Sequence, residues 1–352
     1  MTPPPASLVA LATRVERRIA DILTPEERRW STFDEDLASP VAEIRRLVAS
    51  GGKRLRPAFC HWGFVGAGGD PDSMVSLDAG AALELLHGFA LFHDDVMDGS
   101  TSRRGAPVTH EVFADEHRRS GSSGESRRYG DGIAILVGDL AFVYSDRLMS
   151  EVSAEAREIW HELRIELNVG QLLDLIGSAR NERRRLKAER ICRYKSGKYT
   201  IERPLHLGAM LAAPARKAEL LPALSAYGLP LGDAFQMRDD VMGAFGETAI
   251  TGKPVGDDLR EGKPTPLMAI AMERASSAQR TVLTVVGREQ LTDSQVADAQ
   301  QAIVDCGALD ELESVIARLR DEAVASLAVA PIATSAKTEL ESLAVYVTDR
   351  LT

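Results

Sequence analysis

The sequence predicts an all-α protein, and three observations carry that reading. Ala, Leu, Glu and Arg dominate the composition, and these residues lose little rotamer freedom in a helix. Apolar residues recur at three- and four-residue spacing, while few segments alternate with a period of two. No strand–helix alternation is present to suggest a parallel sheet. The 352 residues are enough for a large core. With no internal repeat and no low-complexity linker, residues 1–352 read as one all-α domain.

Residues 1–7, which open Met-Thr-Pro-Pro-Pro, are expected to be disordered. Leu8–Leu23 repeats apolar residues at helical spacing and reads as a surface helix. A second helix covers Pro40–Ala49 and is broken by Gly51-Gly52; a third covers Arg56–Val65 and ends in Gly66-Ala-Gly-Gly-Asp-Pro71. Met74–Asp98 is a long apolar helix that stops at Gly99. The polar interval 116–131 reads as a flexible loop and a candidate lid. Helices then cover Ile133–Leu148, Ala154–Gly177, Leu186–Tyr194, Tyr199–Leu211 and Leu220–Asp240. A Gly- and Lys-bearing loop runs from Ala244 to Thr265, and helical blocks alternate with short breaks from Leu267 onward.

Composition excludes several function classes. A net charge of −10 and a pI near 5.3 argue against a nucleic-acid binder. In so acidic a chain, local groups of Lys and Arg point to an anionic ligand. Cys60, Cys192 and Cys306 are odd in number and form no CxxC pair, which suits a reducing cytosol. The N-terminus shows no basic n-region followed by an apolar h-region. The apolar stretch Ala79–Phe92 is interrupted by Glu84 and His87 and is too short to cross a bilayer. A cytoplasmic protein with no membrane span is expected.

Asp94, Asp95 and Asp98 close the long apolar helix, where the macrodipole disfavours anions. Asp94 and Asp98, at i and i+4, share a face and repel. A cation should occupy that face. Mg²⁺ is the leading candidate, because it takes oxygen ligands, keeps waters and bridges carboxylates to phosphates. A second acidic pair, Asp239-Asp240, stands near the end of another helix.

Four clusters accompany these acids. Gly51-Gly52-Lys53-Arg54-Leu55-Arg56-Pro57 opens a helix; it is either an anion site of exposed N–H groups and cations or a solvated basic loop. Arg103-Arg104-Gly105 follows Asp98 closely, and it either neutralises the carboxylates in a surface salt bridge or takes phosphate while a metal takes the carboxylates. Tyr194-Lys195-Ser196-Gly197-Lys198-Tyr199 suits an anion, although a lysine pair at a helix break explains it as well. Phe235-Gln-Met-Arg-Asp239-Asp240-Val-Met-Gly243 is followed by Lys253-Pro and Lys263-Pro-Thr265. An acidic helix end followed by a basic glycine loop thus occurs twice. His87 lies seven residues before Asp94 on about the same helical face, as a packed core residue or a substrate contact. Glu84 is given no role, and Met97 and Met242 read as packing residues.

In this order the motifs resemble those of the trans-polyprenyl diphosphate synthases, over nearly the whole chain: Gly-Gly-Lys-Arg-Leu-Arg-Pro, Asp94-Asp-Val-Met-Asp98, Arg-Arg-Gly, Lys195-Ser196, Phe-Gln-x-Arg-Asp239-Asp240 and Lys253. The resemblance implies an all-α bundle around a deep central cavity, usually a homodimer, that joins isopentenyl diphosphate head-to-tail to an allylic diphosphate. It implies that Asp94 and Asp98 bind Mg²⁺ from one helix and Asp239 from the facing one, three ions in all with substrate bound, with Asp95 and Asp240 in support. Arg103, Lys195, Ser196, Gln236 and Lys253 would hold the allylic diphosphate, assisted by Lys263. Lys53, Arg56, His87 and Arg104 would hold isopentenyl diphosphate. Asp95, Arg103, Lys195 and Lys253 count with the metal ligands as catalytic, and the released diphosphate accepts the proton. The family's second acidic motif usually ends in Asp, whereas this chain has Gly243. Activity is expected to survive, at some cost in metal affinity.

Phe89 and Ala90, five and four residues before Asp94, lie roughly 6 to 7.5 Å back along the helix axis, where the allylic tail is expected to run. One bulky and one small residue resemble the pattern of geranylgeranyl diphosphate synthases, so C20 is the leading product, with farnesyl or longer products as alternatives. Two rivals have less support. A terpene cyclase would not need Lys53, Arg56 and Arg104, and a catalytically silent regulatory subunit is favoured only by Gly243.

Overall fold

The computed structural model describes residues 3–246, 255–287 and 291–349. Its described residues are almost entirely helical, as the composition predicts. They form two compact units: an N-terminal one of Ala6–His61 and Pro71–Val152, and a C-terminal one of residues 3–5 and Trp62–Asp70 with the described residues from Ser153 onward. One crossing between them, His61 to Trp62, falls inside a helix, and another, Asp70 to Pro71, falls in the Gly- and Pro-bearing turn that follows it.

In the N-terminal unit, α1 (Ala6–Phe33) buries Leu8, Leu11, Val15, Ile19 and Leu23, one stripe at helical spacing. It starts inside the interval read as disordered and continues past Leu23 through Pro25. A short 3₁₀ turn leads to α2 (Ala38–Ala49), and α3 (Leu55–Gly66) starts after the glycine pair. At the centre is α4 (Met74–Asp98), capped by Ser73 and ended by Gly99 in the left-handed conformation (φ 64°). This helix is long and apolar enough to cross a bilayer, but a continuous run from Ala79 to Leu86 is buried in the unit.

A two-residue hairpin, β1 (Ser102–Arg103) and β2 (Ala106–Pro107), follows α4 and is absent from the sequence expectation. α5 (Thr109–Arg119) and α6 (Ser126–Leu148) come next. The interval 116–131 is therefore helical at both ends, and only 120–125 lies outside helices. Polarity suggests a loop, but His117 is buried and its Nε2–H donates to the Ser123 carbonyl at 3.0 Å, while Glu125 caps α6. α6 passes close to α4 at Gly138, where a Cβ would lie 2.5 Å from the His93 ring.

The C-terminal unit is built on α7 (Ala154–Ala179), then α8 (Arg185–Cys192), a π-helical stretch Arg193–Glu202 and α9 (Arg203–Ala212) in one unbroken run, and α10 (Lys217–Phe245). The break expected near Lys195–Lys198 is instead this wide helical segment. Pro204 offers no N–H to the preceding turn and crowds its carbonyl, and a wider turn relieves both. Glycines let the neighbours close on it: a Cβ on Gly170 of α7 would sit 2.4 Å from the Lys195 nitrogen, and one on Gly232 of α10 would sit 2.8 Å from the Gly197 carbonyl. After residue 254 come α11 (Asp257–Glu261), α12 (Pro266–Arg274), α13 (Ser277–Leu283), α14 (Asp293–Asp305), α15 (Ala308–Ser326) and α16 (Thr334–Thr348).

Candidate active site

The glycine turn before α3 sorts its three cations. Gly51 (φ 99°), Gly52 (φ 145°) and Arg54 (φ 49°) all take positive φ, a conformation costly for Arg. A Cβ on Gly52 would lie 2.6 Å from Arg54 Nη1 and 3.2 Å from Arg104 Nη2, so only glycine fits. Arg54 is drawn inward: Nη1 donates to Glu84 Oε2 at 2.8 Å, Nε to Glu16 Oε1 at 3.1 Å, and Nη2 to the Val48 carbonyl. Lys53 is exposed and Arg56 half-buried.

The hairpin separates the two arginines that follow α4. Arg104 (φ 53°) and Gly105 (φ 75°) are its two turn residues, as a type I′ turn requires. Arg103 turns back to α4, donating to Asp95 Oδ1 at 2.7 Å through Nη2 and at 3.0 Å through Nε, with Asp94 Oδ2 3.6 Å away. Burial opposes its charge, but Asp95, Asp94 and Asp98 hold its pKa above the ordinary guanidinium value. Arg104 turns the other way, to the Gly51 carbonyl and to Ser50 Oγ at 3.2 Å. Asp95 is buried under Arg103, while Asp94 and Asp98 are half-buried one turn apart.

His87 lies within the field of these cations. Burial pushes its pKa well below the usual imidazole range, and Arg56, Arg104, Arg103 and Arg54 push it further. Burial likewise lowers Arg104, and Arg54 and Arg103 add to the effect. Four guanidiniums thus act on a neutral imidazole, two of them (Arg54 and Arg103) already paired with carboxylates, which leaves Arg56 and Arg104 as the cations suited to an anion. Phe89 is half-buried on α4, its ring 4.6 Å from His93 and 4.9 Å from Phe142 of α6; Ala90 beside it is also half-buried.

In the C-terminal unit, the π segment holds Lys195 so that Nζ meets Asp174 Oδ2 of α7 at 2.5 Å, with Ser196 half-buried next to it. Lys198 has a different task, bonded to Glu166 at 2.6 Å in a network with Arg203 and Glu202. On α10, Asp239 is half-buried and Asp240 buried, with Gln236 Nε2 donating to Asp240 Oδ1 at 2.9 Å. Asp240 Oδ2 has no hydrogen-bond partner among the described residues. Burial raises its pKa well above the carboxylate range, the Gln236 bond opposes that rise, and Asp258 and Asp239 add to it. Arg238 instead pairs with Glu313 at 2.6 Å. Lys263 Nζ lies 2.5 Å from Glu261 and 3.3 Å from Asp258. Lys253 falls outside the described residues.

No three His, Cys, Asp or Glu side chains converge into a metal cage among the described residues. The donors present still suit Mg²⁺, which binds through one or two carboxylates and completes its shell with water and phosphate oxygens. Asp94 and Asp98 offer such a pair, and the unpartnered Asp240 oxygen marks a second place where positive charge is lacking.

Residues 41–303 match the sequence model of the family described as Polyprenyl synthetase. The chain belongs to the polyprenyl synthetase family. It is a trans-prenyltransferase of the isoprenyl diphosphate synthase kind. A geranylfarnesyl diphosphate synthase of Aeropyrum pernix is 31% identical over 277 residues, 76% of this chain and 80% of the relative. A (2E,6E)-farnesyl diphosphate synthase of Mycobacterium tuberculosis is 29% identical over 352 residues, 97% of this chain and 90% of the relative. Among solved structures, geranylgeranyl pyrophosphate synthase from Corynebacterium glutamicum, complexed with isoprenyl diphosphate and magnesium, superposes with a TM-score of 0.92. It is 36% identical and covers 97% of this chain and 99% of its own. Relatives of this prenyltransferase thus differ in product length.

Within this enzyme the sequence-derived residues fall into two groups. The N-terminal unit holds Lys53, Arg56, His87, Phe89, Ala90, Asp94, Asp95, Asp98, Arg103 and Arg104, and the C-terminal unit holds Lys195, Ser196, Gln236, Asp239 and Lys263. Sequence reasoning missed Glu84 and Asp174. Each left a signal, a lone acid in an otherwise apolar helical run, Leu83-Glu84-Leu85 and Leu172-Leu173-Asp174-Leu175.

Proposed function

We propose that the enzyme condenses isopentenyl diphosphate with allylic diphosphates in a Mg²⁺-dependent, head-to-tail reaction and delivers geranylgeranyl diphosphate. The observation that carries the reading is the group of arginines that act on the buried His87 of the N-terminal unit. That group, in addition to Lys195 and Lys263 of the C-terminal unit, offers more cations than one diphosphate requires, as a condensation of two diphosphates needs and a cyclase does not. Lys53, Arg56, His87 and Arg104 bind isopentenyl diphosphate; Arg103, Lys195, Ser196, Gln236 and Lys253 bind the allylic diphosphate, with Lys263 assisting. Asp94, Asp98 and Asp239 would hold Mg²⁺, which when bound neutralises charge on the departing diphosphate. Asp95 orients Arg103, and Gln236 orients Asp240. No side-chain base is needed where the released diphosphate takes the proton.

Product length rests on Phe89. Its ring is braced by Phe142 and His93, and His93 Nε2 is fixed 3.0 Å from the Ile135 carbonyl oxygen. A braced ring makes a firm stop for a growing chain. Phe89→Ala is expected to shift the main product from C20 to longer chains, read by mass spectrometry of dephosphorylated products. An unchanged spectrum would move the stop elsewhere. The primary test incubates purified enzyme with Mg²⁺, isopentenyl diphosphate and each of the C5, C10 and C15 allylic diphosphates. A C20 diphosphate supports the whole reading, and a different length refutes the tunnel assignment alone.

A homodimer is the expected assembly. On α7, Ile165, Val169, Leu172 and Ile176 are 57, 43, 58 and 44% exposed. Their spacing of four, three and four residues makes one continuous apolar stripe. Leu172→Asp is expected to shift the protein from dimer to monomer in light scattering. A dimer that survives the substitution would remove α7 from the interface.

A further inference from the structure

We propose that Asp258 supplies the third carboxylate of the second acidic cluster, in the space that the missing side chain at Gly243 leaves free. The inference rests on the proposed assignment of Asp239 as a Mg²⁺ ligand and extends it to a residue on another helix. Gly243 stands one turn after Asp239 on α10, four residues on, so the two share a face. A Cβ built on Gly243 would lie 1.9 Å from Asp258 Oδ2, 2.4 Å from its Cγ and 3.1 Å from its Cβ. The carboxylate of Asp258 therefore occupies the position that a side chain at 243 would take. An alanine there would displace the carboxylate: rotation about the Asp258 Cα–Cβ bond must carry Oδ2 and Cγ away, and its Cβ at 3.1 Å must still yield slightly.

Asp258 is held there from its own side. Gly256 starts α11 in the left-handed conformation (φ 71°), the Lys263 N–H donates to the Asp258 carbonyl at 3.1 Å, and Lys263 Nζ stands 3.3 Å from Oδ1. Acidic side chains gathered in this way are not by themselves a cation site. The second observation is Asp240, 4% exposed, whose Oδ2 is buried without a hydrogen-bond partner. A buried carboxylate oxygen left unpaired is costly, and Asp240 stands three residues before Gly243 on α10, beside the space that the Asp258 carboxylate fills. A divalent cation with its waters would satisfy that oxygen, and Mg²⁺ needs no closed cage to do so. Glycine at 243 is then a partner of Asp258 rather than a loss of function.

The test reads metal binding rather than turnover. Asp94→Asn and Asp98→Asn are combined so that only the cluster on α10 reports, and Mn²⁺ is titrated by electron paramagnetic resonance. Against that parent, Asp258→Asn is expected to weaken Mn²⁺ binding about tenfold or more. Gly243→Ala is expected to weaken it comparably without removing any charge, since its methyl group displaces the carboxylate. If Asp258 takes no part, the alanine should leave binding unchanged and, as the better helix former, stabilise the fold. Asp239→Asn separates the two levels of inference. Loss with Asp239→Asn but parental binding with both Asp258→Asn and Gly243→Ala overturns the role of Asp258 alone. Parental binding with all three overturns this proposal and the assignment of Asp239 together.

Discussion

Asp94→Ala is expected to lower the rate of condensation about 10³-fold or more while leaving the fold intact. Stabilising charge on a departing diphosphate is worth several kcal/mol, and each 1.36 kcal/mol is a factor of ten. Folding should hardly respond, because two opposing effects meet at this residue. Asp94 is repelled by Asp98 one turn on and by the helix C-terminus on which both stand, against which stands a 3.6 Å approach to Arg103. Arg103 keeps its bonds to Asp95 when Asp94 is removed. Radiolabelled isopentenyl diphosphate incorporation and a denaturant melt measure the two quantities. Turnover within a few-fold of wild type would refute the metal assignment. A large loss of stability would recast Asp94 as a structural partner of Arg103.

The same residues show how much was legible beforehand. Helical periodicity located α4 to its ends, and the charge conflict at its C-terminus singled out Asp94 and Asp98 before any geometry was known. What the sequence could not sort was equivalent charges in one short run. Lys53, Arg54 and Arg56 look alike as a basic loop, yet the glycine turn folds Arg54 inward and leaves Lys53 exposed. Arg103 and Arg104 are neighbours, yet a type I′ turn sends them to opposite partners. Lys195 and Lys198 read as a pair at a helix break, yet Pro204 and close glycine contacts give a π segment that commits Lys198 to Glu166. The partners that decide, Glu84 for Arg54, Gly51 for Arg104 and Glu166 for Lys198, lie far away in sequence, and local propensity has no access to them.

Glu84 is the sharpest instance, and Glu84→Ala is expected to cost about 3 kcal/mol of stability. The glutamate was given no role because an acid in the apolar run of α4 has no visible partner within helical reach. Its partner is Arg54, thirty residues upstream, at 2.8 Å, with side-chain exposures of 2% for the arginine and 3% for the glutamate. Removing one member of a buried pair leaves the other charge uncompensated, which is why such deletions commonly cost 3–5 kcal/mol. The lower end applies because Glu16, 45% exposed, still reaches Arg54 at 3.0 Å. The consequence for function follows from the turn. Arg54 holds a positive φ only while its guanidinium is anchored, and the same turn presents Lys53 and Arg56. Glu84→Ala should therefore raise the KM for isopentenyl diphosphate more than that for the allylic substrate. Glu84→Gln, which keeps an acceptor for Nη1, should fall between alanine and wild type in both respects. A Glu84→Ala protein within about 0.5 kcal/mol of wild type, the range of an ordinary surface change, would mean that Glu16 alone anchors the turn.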